Sequence, residues 1–149
     1  MSDPGAAPST KLYTPRLLAL SASLAAFPLD DRFTYTAEAH SRTCGSTIKL
    51  GLDLDGCGLV ERIGMQVTAC AVGQSSAAVL AQGIERVDQA GLEAHIAAIV
   101  AWLSHNDDLP DFPQFDALAP AQGHKGRHEA LLLPWKAAKE ALSLGATSR

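Results

Sequence analysis

The chain has no apolar run long enough to cross a bilayer. Its longest, such as Ile96 to Leu103 and Ala130 to Leu133, fall far short of the ~20 residues a spanning helix needs. It also has no Lys/Arg-rich run that could neutralise a row of phosphates, and twelve basic against sixteen acidic side chains leave a net charge of -4. Neither a membrane nor a nucleic acid is an expected partner. Cysteine is scarce: three residues is an odd number for a disulfide framework, and in a reducing compartment thiols at loop ends serve as ligands or nucleophiles more often than as bridges. The start Met1-Ser2-Asp3-Pro4-Gly5 does not have the basic-then-apolar order of a signal peptide, so a cytoplasmic protein is expected. A Gly-x-Ser-x-Gly elbow, Walker and Rossmann glycine patterns and the paired histidines of a zinc-protease helix are all missing. No catalytic residue stands out, and the expectation is a protein that is not an enzyme.

What is present is enough apolar sequence for one core. The 149 residues are 47% hydrophobic and 19% charged, the balance of a globular domain rather than a disordered chain. Residues 1–10 read as a flexible tail, 11–143 as a single domain, and 144–149 as a frayed end. From Lys11, Leu17, Leu20, Leu24 and Phe27 recur at helical steps, with Pro15 tolerable only in the first turn. Phe33 to His40, Ile48 to Leu54 and Ile63 to Val67 alternate as strands, joined at Asp55-Gly56 by a turn signal. Gly51 and Gly64 interrupt this pattern as bulge candidates. After Cys70 the period changes to about 3.6, giving a short helix up to Gly83. A second helix is capped by Asp88, with Leu92, Ile96, Ile99, Val100 and Leu103 as its stripe.

Asn106 to Gly126, with Pro110, Pro113 and Pro120, reads as a surface loop pinned by Phe112, Phe115 and Leu118. A last helix carries Leu131, Trp135, Ala138 and Leu142, with Pro134 as a kink. The order predicts an α+β fold: an N-terminal helix, a three-stranded antiparallel sheet, then helices packed on one sheet face.

The chemistry-bearing candidates are Cys44, at the entry to the second strand, Cys70, at the exit from the third, and His128, opening the last helix. Soft metals and iron-sulfur clusters need several sulfur or nitrogen donors converging from different segments. Cys70 lies next to a helix N-terminus, whose unpaired amides stabilise a thiolate. The bland alternatives are that both cysteines are small buried hydrophobes and that His128 bonds only to backbone. Cys57 reads as an exposed bystander in its turn, His124 as a spare ligand, and His40, His95 and His105 as surface residues. Ser75 and Ser76 read as helix capping, and Trp102 and Trp135 as core or interface anchors.

These segments resemble the NifU/IscU/SufU family of iron-sulfur cluster assembly scaffolds. In that pattern one cysteine precedes a strand as Cys-Gly-Asp, a second lies in a Cys-x-x-x-x-x-Ser-like turn before a helix, and a third just precedes the last helix. Cys44-Gly45 matches the first, and Cys70 with Ser75 and Ser76 matches the second. Leu132-Leu133-Pro134-Trp135-Lys136-Ala137 is similar to the last helix, especially in the zinc-binding SufU branch. Ser46 stands in place of the aspartate, and Arg127-His128-Glu129-Ala130 stands where the third cysteine is expected.

The resemblance implies a scaffold-like protein binding iron and an iron-sulfur cluster, or zinc, through Cys44, Cys70 and His128. Glu129, water, an external thiol or a partner subunit would supply the fourth donor. It implies a cysteine desulfurase and recipient apoproteins as partners, and leaves a homodimer open. Two alternatives stand beside it: a scaffold fold kept as a metal-free interaction module, and a sulfur-transfer protein with Cys70 as persulfide acceptor.

Overall fold

The computed structural model describes residues 12–42, 45–105 and 108–148; the tail expected over 1–10 and Cys44 fall outside them. Helix α1 spans Pro15–Ser23 and passes into a 3-10 turn at Leu24–Ala26. The Thr14 hydroxyl accepts the Leu17 amide at 3.1 Å, and Pro15 takes the first helical position, where its missing N–H costs nothing. The helix is therefore shorter than its apolar stripe.

Strands β1 (Tyr35–His40), β2 (Thr47–Leu54) and β3 (Val60–Thr68) form an antiparallel sheet in the order β1-β2-β3. Ile48, Leu50 and Leu52 pair with Val67, Met65 and Ile63 and turn one face inward, since alternate residues share a face. That face is covered by α2 (Ala71–Gly83) and α4 (His128–Ser148), with α3 (Gln89–His105) outside α4. The α+β order read from the residues is the observed one.

Gly51 and Gly64 do not make bulges. They pair directly with each other, and the ladder shifts at Asp53/Leu54 instead. A Cβ on either glycine would come within 2.6 Å of the Phe33 ring, so the glycine pair is the slot that lets Phe33 lie on the outer sheet face. Arg62 caps that ring from 3.9 Å above its centroid and holds Asp53 with its Nε at 2.9 Å, fixing the strap that runs from Phe27 to Thr34.

Of the loop expected over Asn106 to Gly126, residues 108–126 are pinned by Phe112, Phe115 and Leu118 as expected but fold into the core rather than over the surface. They contain 3-10 segments at Phe115–Ala121 and Lys125–Arg127, and Phe115, Ala117, Leu118 and Ala121 are buried. Phe112 and Phe115 meet Trp135 edge-on at 4.9 and 6.0 Å, and Phe115 meets Trp102 at 5.3 Å. The prolines stop an α-helix here, while the aromatic contacts still draw the segment into the core. His95, expected at the surface, also packs edge-on against Phe112 at 5.0 Å.

Ser75 and Ser76 are not caps. Both are fully buried inside α2, and Ser75 Oγ donates to the Leu17 carbonyl at 2.6 Å. Ser76 Oγ donates to the Leu131 carbonyl at 2.6 Å and accepts from Trp135 Nε1 at 2.9 Å. Each thus satisfies a buried group of another helix, which an unpaired hydroxyl in the core could not afford. Asp88, by contrast, caps α3 as expected, accepting the Gly91 amide at 2.8 Å. Helix α4 continues through Pro134 to Ser148, beyond the reach of its apolar stripe, because Gly145 packs closely on Leu54 and Tyr35.

Ser76→Ala leaves the Trp135 indole N–H buried without its acceptor, so urea unfolding should show a loss of about 1–3 kcal/mol; a change under ~0.3 kcal/mol would refute the network. Burial works against the charge on Asp53, but the Thr34 amide, the Thr34 side chain and the Arg62 guanidinium outweigh it and hold the carboxyl below its ordinary value. A depressed folded pKa gives stability that is present above the unfolded value and lost as pH falls through the folded one. The urea midpoint should therefore drop as pH falls below about 4, and less steeply in Asp53→Asn. Equal slopes would contradict this.

Candidate metal centre

The site is built at one end of the sheet. His40 pairs with Thr47, and Thr47 pairs with Thr68, so the last ladder row crosses all three strands, with about 4.8 Å between neighbours. The β1–β2 turn leaves beyond His40 and Thr47, and Cys70 follows two residues after Thr68. Both turns therefore emerge side by side. The foot of the β1–β2 turn is closed by the Ser41 amide, which donates to the Ser46 carbonyl at 2.8 Å. Gly45 has φ +68°, in the left-handed region where a side chain would strain the backbone.

The first turn of α4 joins them. Ser41 Oγ donates to Glu129 Oε1 at 2.6 Å, tying the foot of the turn to that helix. On the other side α2 backs onto the same turn at Gly73, where a Cβ would lie 3.4 Å from the Ala130 carbonyl oxygen and 2.8 Å from Ala69 Cβ. Pro134 has no N–H to offer that carbonyl, so glycine and proline together allow the helices to approach.

Cys70 is half-buried and is the N-cap of α2, with extended backbone (φ -67°, ψ 172°) and no side-chain capping bond. Its carbonyl accepts the Gln74 amide at 2.9 Å. The Gln74 side chain braces the turn, donating to the Ala69 carbonyl at 3.1 Å and accepting from Ser21 Oγ at 2.6 Å. Cys70 thus stands at the N-terminus of a thirteen-residue helix.

His128 is the first residue of α4, and its Nε2 lies 2.7 Å from the Gln122 carbonyl. A carbonyl only accepts, so Nε2 carries the hydrogen and the neutral ring keeps its lone pair on Nδ1. Backbone-held imidazoles of this kind are common among metal ligands. Gln122 is in turn fixed by its side-chain amide, which donates to the Trp102 carbonyl at 2.8 Å.

The fold therefore places the foot of the β1–β2 turn and the Cys70 end of α2 against residues 129–130 of α4, while the His128 ring is held at Gln122. Cys44 itself lies outside the described residues. Among the described residues no three His, Cys, Asp or Glu side chains form a metal-holding group. Glu129 is engaged by Ser41, and Ser46 is buried at 3% exposure. Cys57 is exposed in its own turn, its amide donating to Asp55 Oδ1 at 2.8 Å. His40 is exposed and pairs with Glu38 at 2.8 Å.

Of the residues that build the corner, Ser41 was not singled out, and Gly73-Gln74 read as part of a helix cap, whereas Gly73 allows close approach to Ala130 and Gln74 braces the turn. Ser41 carried no local signal, since its partner is 88 residues away.

No family model matches the sequence, and no curated protein is significantly similar to it. Solved structures are. A crystal structure of a nitrogen-fixing NifU-like protein (N-terminal) from Brucella abortus superposes with a TM-score of 0.87 at 25% identity, covering 95% of this chain and 99% of that one. A putative iron-sulfur cluster assembly scaffold protein for the SUF system from the thermophile Fervidobacterium islandicum superposes at 0.80 with 17% identity, covering 90% and 98%. A hypothetical protein follows at 0.64 with 19% identity, covering 86% and 97%. The likeness runs through almost the whole of each chain, and the chain shares the fold of the NifU-like and SufU scaffold proteins that its cysteine segments and last helix resemble.

Proposed function

We propose that this chain is a non-catalytic, scaffold-type protein that carries iron-sulfur or zinc cargo at the corner where the two cysteine turns meet the start of α4. The observation that carries the reading is the ladder row through His40, Thr47 and Thr68, which sets the β1–β2 turn beside the Cys70 turn. The donor set suits the cargo: Cys44 and Cys70 supply soft thiolates, and His128 offers a ring nitrogen whose opposite N–H is already held by backbone. Three donors need a fourth for a tetrahedral zinc or a [2Fe-2S] cluster, and Glu129, water or an external thiol can supply it. The partners would be a cysteine desulfurase and recipient apoproteins in the cytoplasm. In keeping with this, no helix among the described residues is long and apolar enough to cross a membrane.

A second reading has its own support. No three metal-binding side chains group together among the described residues, and the segment before α4 has no thiol, so the fold could serve as an interaction module without metal. Anaerobic purification with metal analysis, followed by reconstitution with iron and sulfide, separates the two. The scaffold reading predicts bound zinc or a visible chromophore, with affinity falling more than about tenfold in Cys44→Ala and in Cys70→Ala, since each removes a ligand. Protein that stays metal-free and colourless supports the module.

A further inference from the structure

The outer edge of β3 is closed at two points and open between them. Near its start the Val60 amide donates to the Val87 carbonyl at 2.9 Å, and the Val60 carbonyl accepts the Arg86 amide at 2.8 Å. Further along, the Met65 amide donates to the Phe27 carbonyl at 2.9 Å. In an antiparallel ladder every second residue turns both backbone groups away from its partner strand. Met65 is such a residue, since its amide reaches out to Phe27. Ile63, two positions back and paired with Leu52, therefore turns its N–H and C=O outward as well. Among the described residues nothing bonds to either group. Ile63 is only 8% exposed, and buried backbone groups are almost always paired. A partner that satisfies both at once presents an acceptor and a donor side by side, as an extended peptide does.

These groups face a cavity of about 430 Å³, within the size range of small-ligand clefts. It lies between the Phe27–Thr34 strap, the start of β3 and the end of α2, at the opposite end of β3 from Cys70. Phe27, Ala81 and Ile84 give it an apolar wall beside Ile63. Its guanidiniums are already held: Arg32 by Asp30 at 3.3 Å, and Arg62 by Asp30 at 3.3 Å and Asp53 at 2.9 Å. Glu61 and Glu85, also at the cavity, are exposed and have no ion-pair partner among the described residues. The mouth therefore offers unpaired negative charge.

We propose that this cavity binds a short extended peptide segment of another protein, in which an apolar residue pairs with Ile63 as an added strand would, next to a Lys or Arg whose charge meets Glu61 and Glu85. The paired residue's side chain falls on the same sheet face as that of Ile63, against α2. Main-chain bonds hold such a segment, and side-chain pockets select it.

The test titrates the full, isotope-labelled chain with acetyl-Lys-Leu-Lys-amide and follows the backbone amide signals; metal loading enters none of the readouts. Binding should saturate with a Kd of about 1 mM or tighter, with the largest shifts at Ile63 and its neighbours and slower hydrogen exchange at the Ile63 amide. A probe N-methylated at its leucine cannot donate to the Ile63 carbonyl and should bind at least about fivefold more weakly. Acetyl-Glu-Leu-Glu-amide should bind at least about tenfold more weakly. Glu61→Gln combined with Glu85→Gln should weaken the lysine probe by about three- to tenfold while leaving the urea midpoint unchanged. Absence of a saturable shift at Ile63 up to about 10 mM probe would overturn the proposal, as would equal affinity for the N-methylated or the glutamate probe.

Discussion

The Ser76 hydroxyl is the point at which two helices are locked together, and the rest of the structure depends on that lock. It is fully buried and satisfies both the Leu131 carbonyl and the Trp135 indole, so α2 and α4 can meet in only one register without leaving a polar group dry and unpaired. Gly73 sets the depth of the contact one turn earlier, at Ala130. Trp135 then serves as the plate against which Phe112 and Phe115 stack, which draws in the proline-rich segment. That segment ends at Gln122, whose carbonyl holds His128. The position of the candidate ligand thus follows from core packing.

The same lock supports two turns that are far apart in sequence. The sheet brings the two turns to one edge through its register, and the helix pair supplies a common support beneath them. Neither turn is long enough to define its own geometry. Their precision comes from Ser41 on one side and Gln74 on the other, each bonding to a neighbouring element.

Much of this architecture was legible in the residues. Leu131, Trp135, Ala138 and Leu142 followed a helical stripe, and all four are buried as that stripe implies. The alternating strands and the cap at Asp88 were also readable, because each depends on neighbours within a few positions. The misreadings share one cause. Ser75 and Ser76 resembled caps, Gly51 and Gly64 resembled bulges, and Asn106 to Gly126 resembled a surface loop, yet in each case the deciding partner lies far along the chain: Leu17, Leu131, Phe33 and Trp135. At the site, the capping position of Cys70 followed from a local change of period, whereas the Ser41 contact to Glu129 had no local signal at all.

The central claim is that two sulfurs and one imidazole nitrogen meet a single ion at this corner. X-ray absorption at the zinc edge of the loaded chain measures that directly. The account predicts two sulfur neighbours at about 2.3 Å and nitrogen or oxygen neighbours at about 2.0–2.1 Å. A shell made only of nitrogen and oxygen would contradict it.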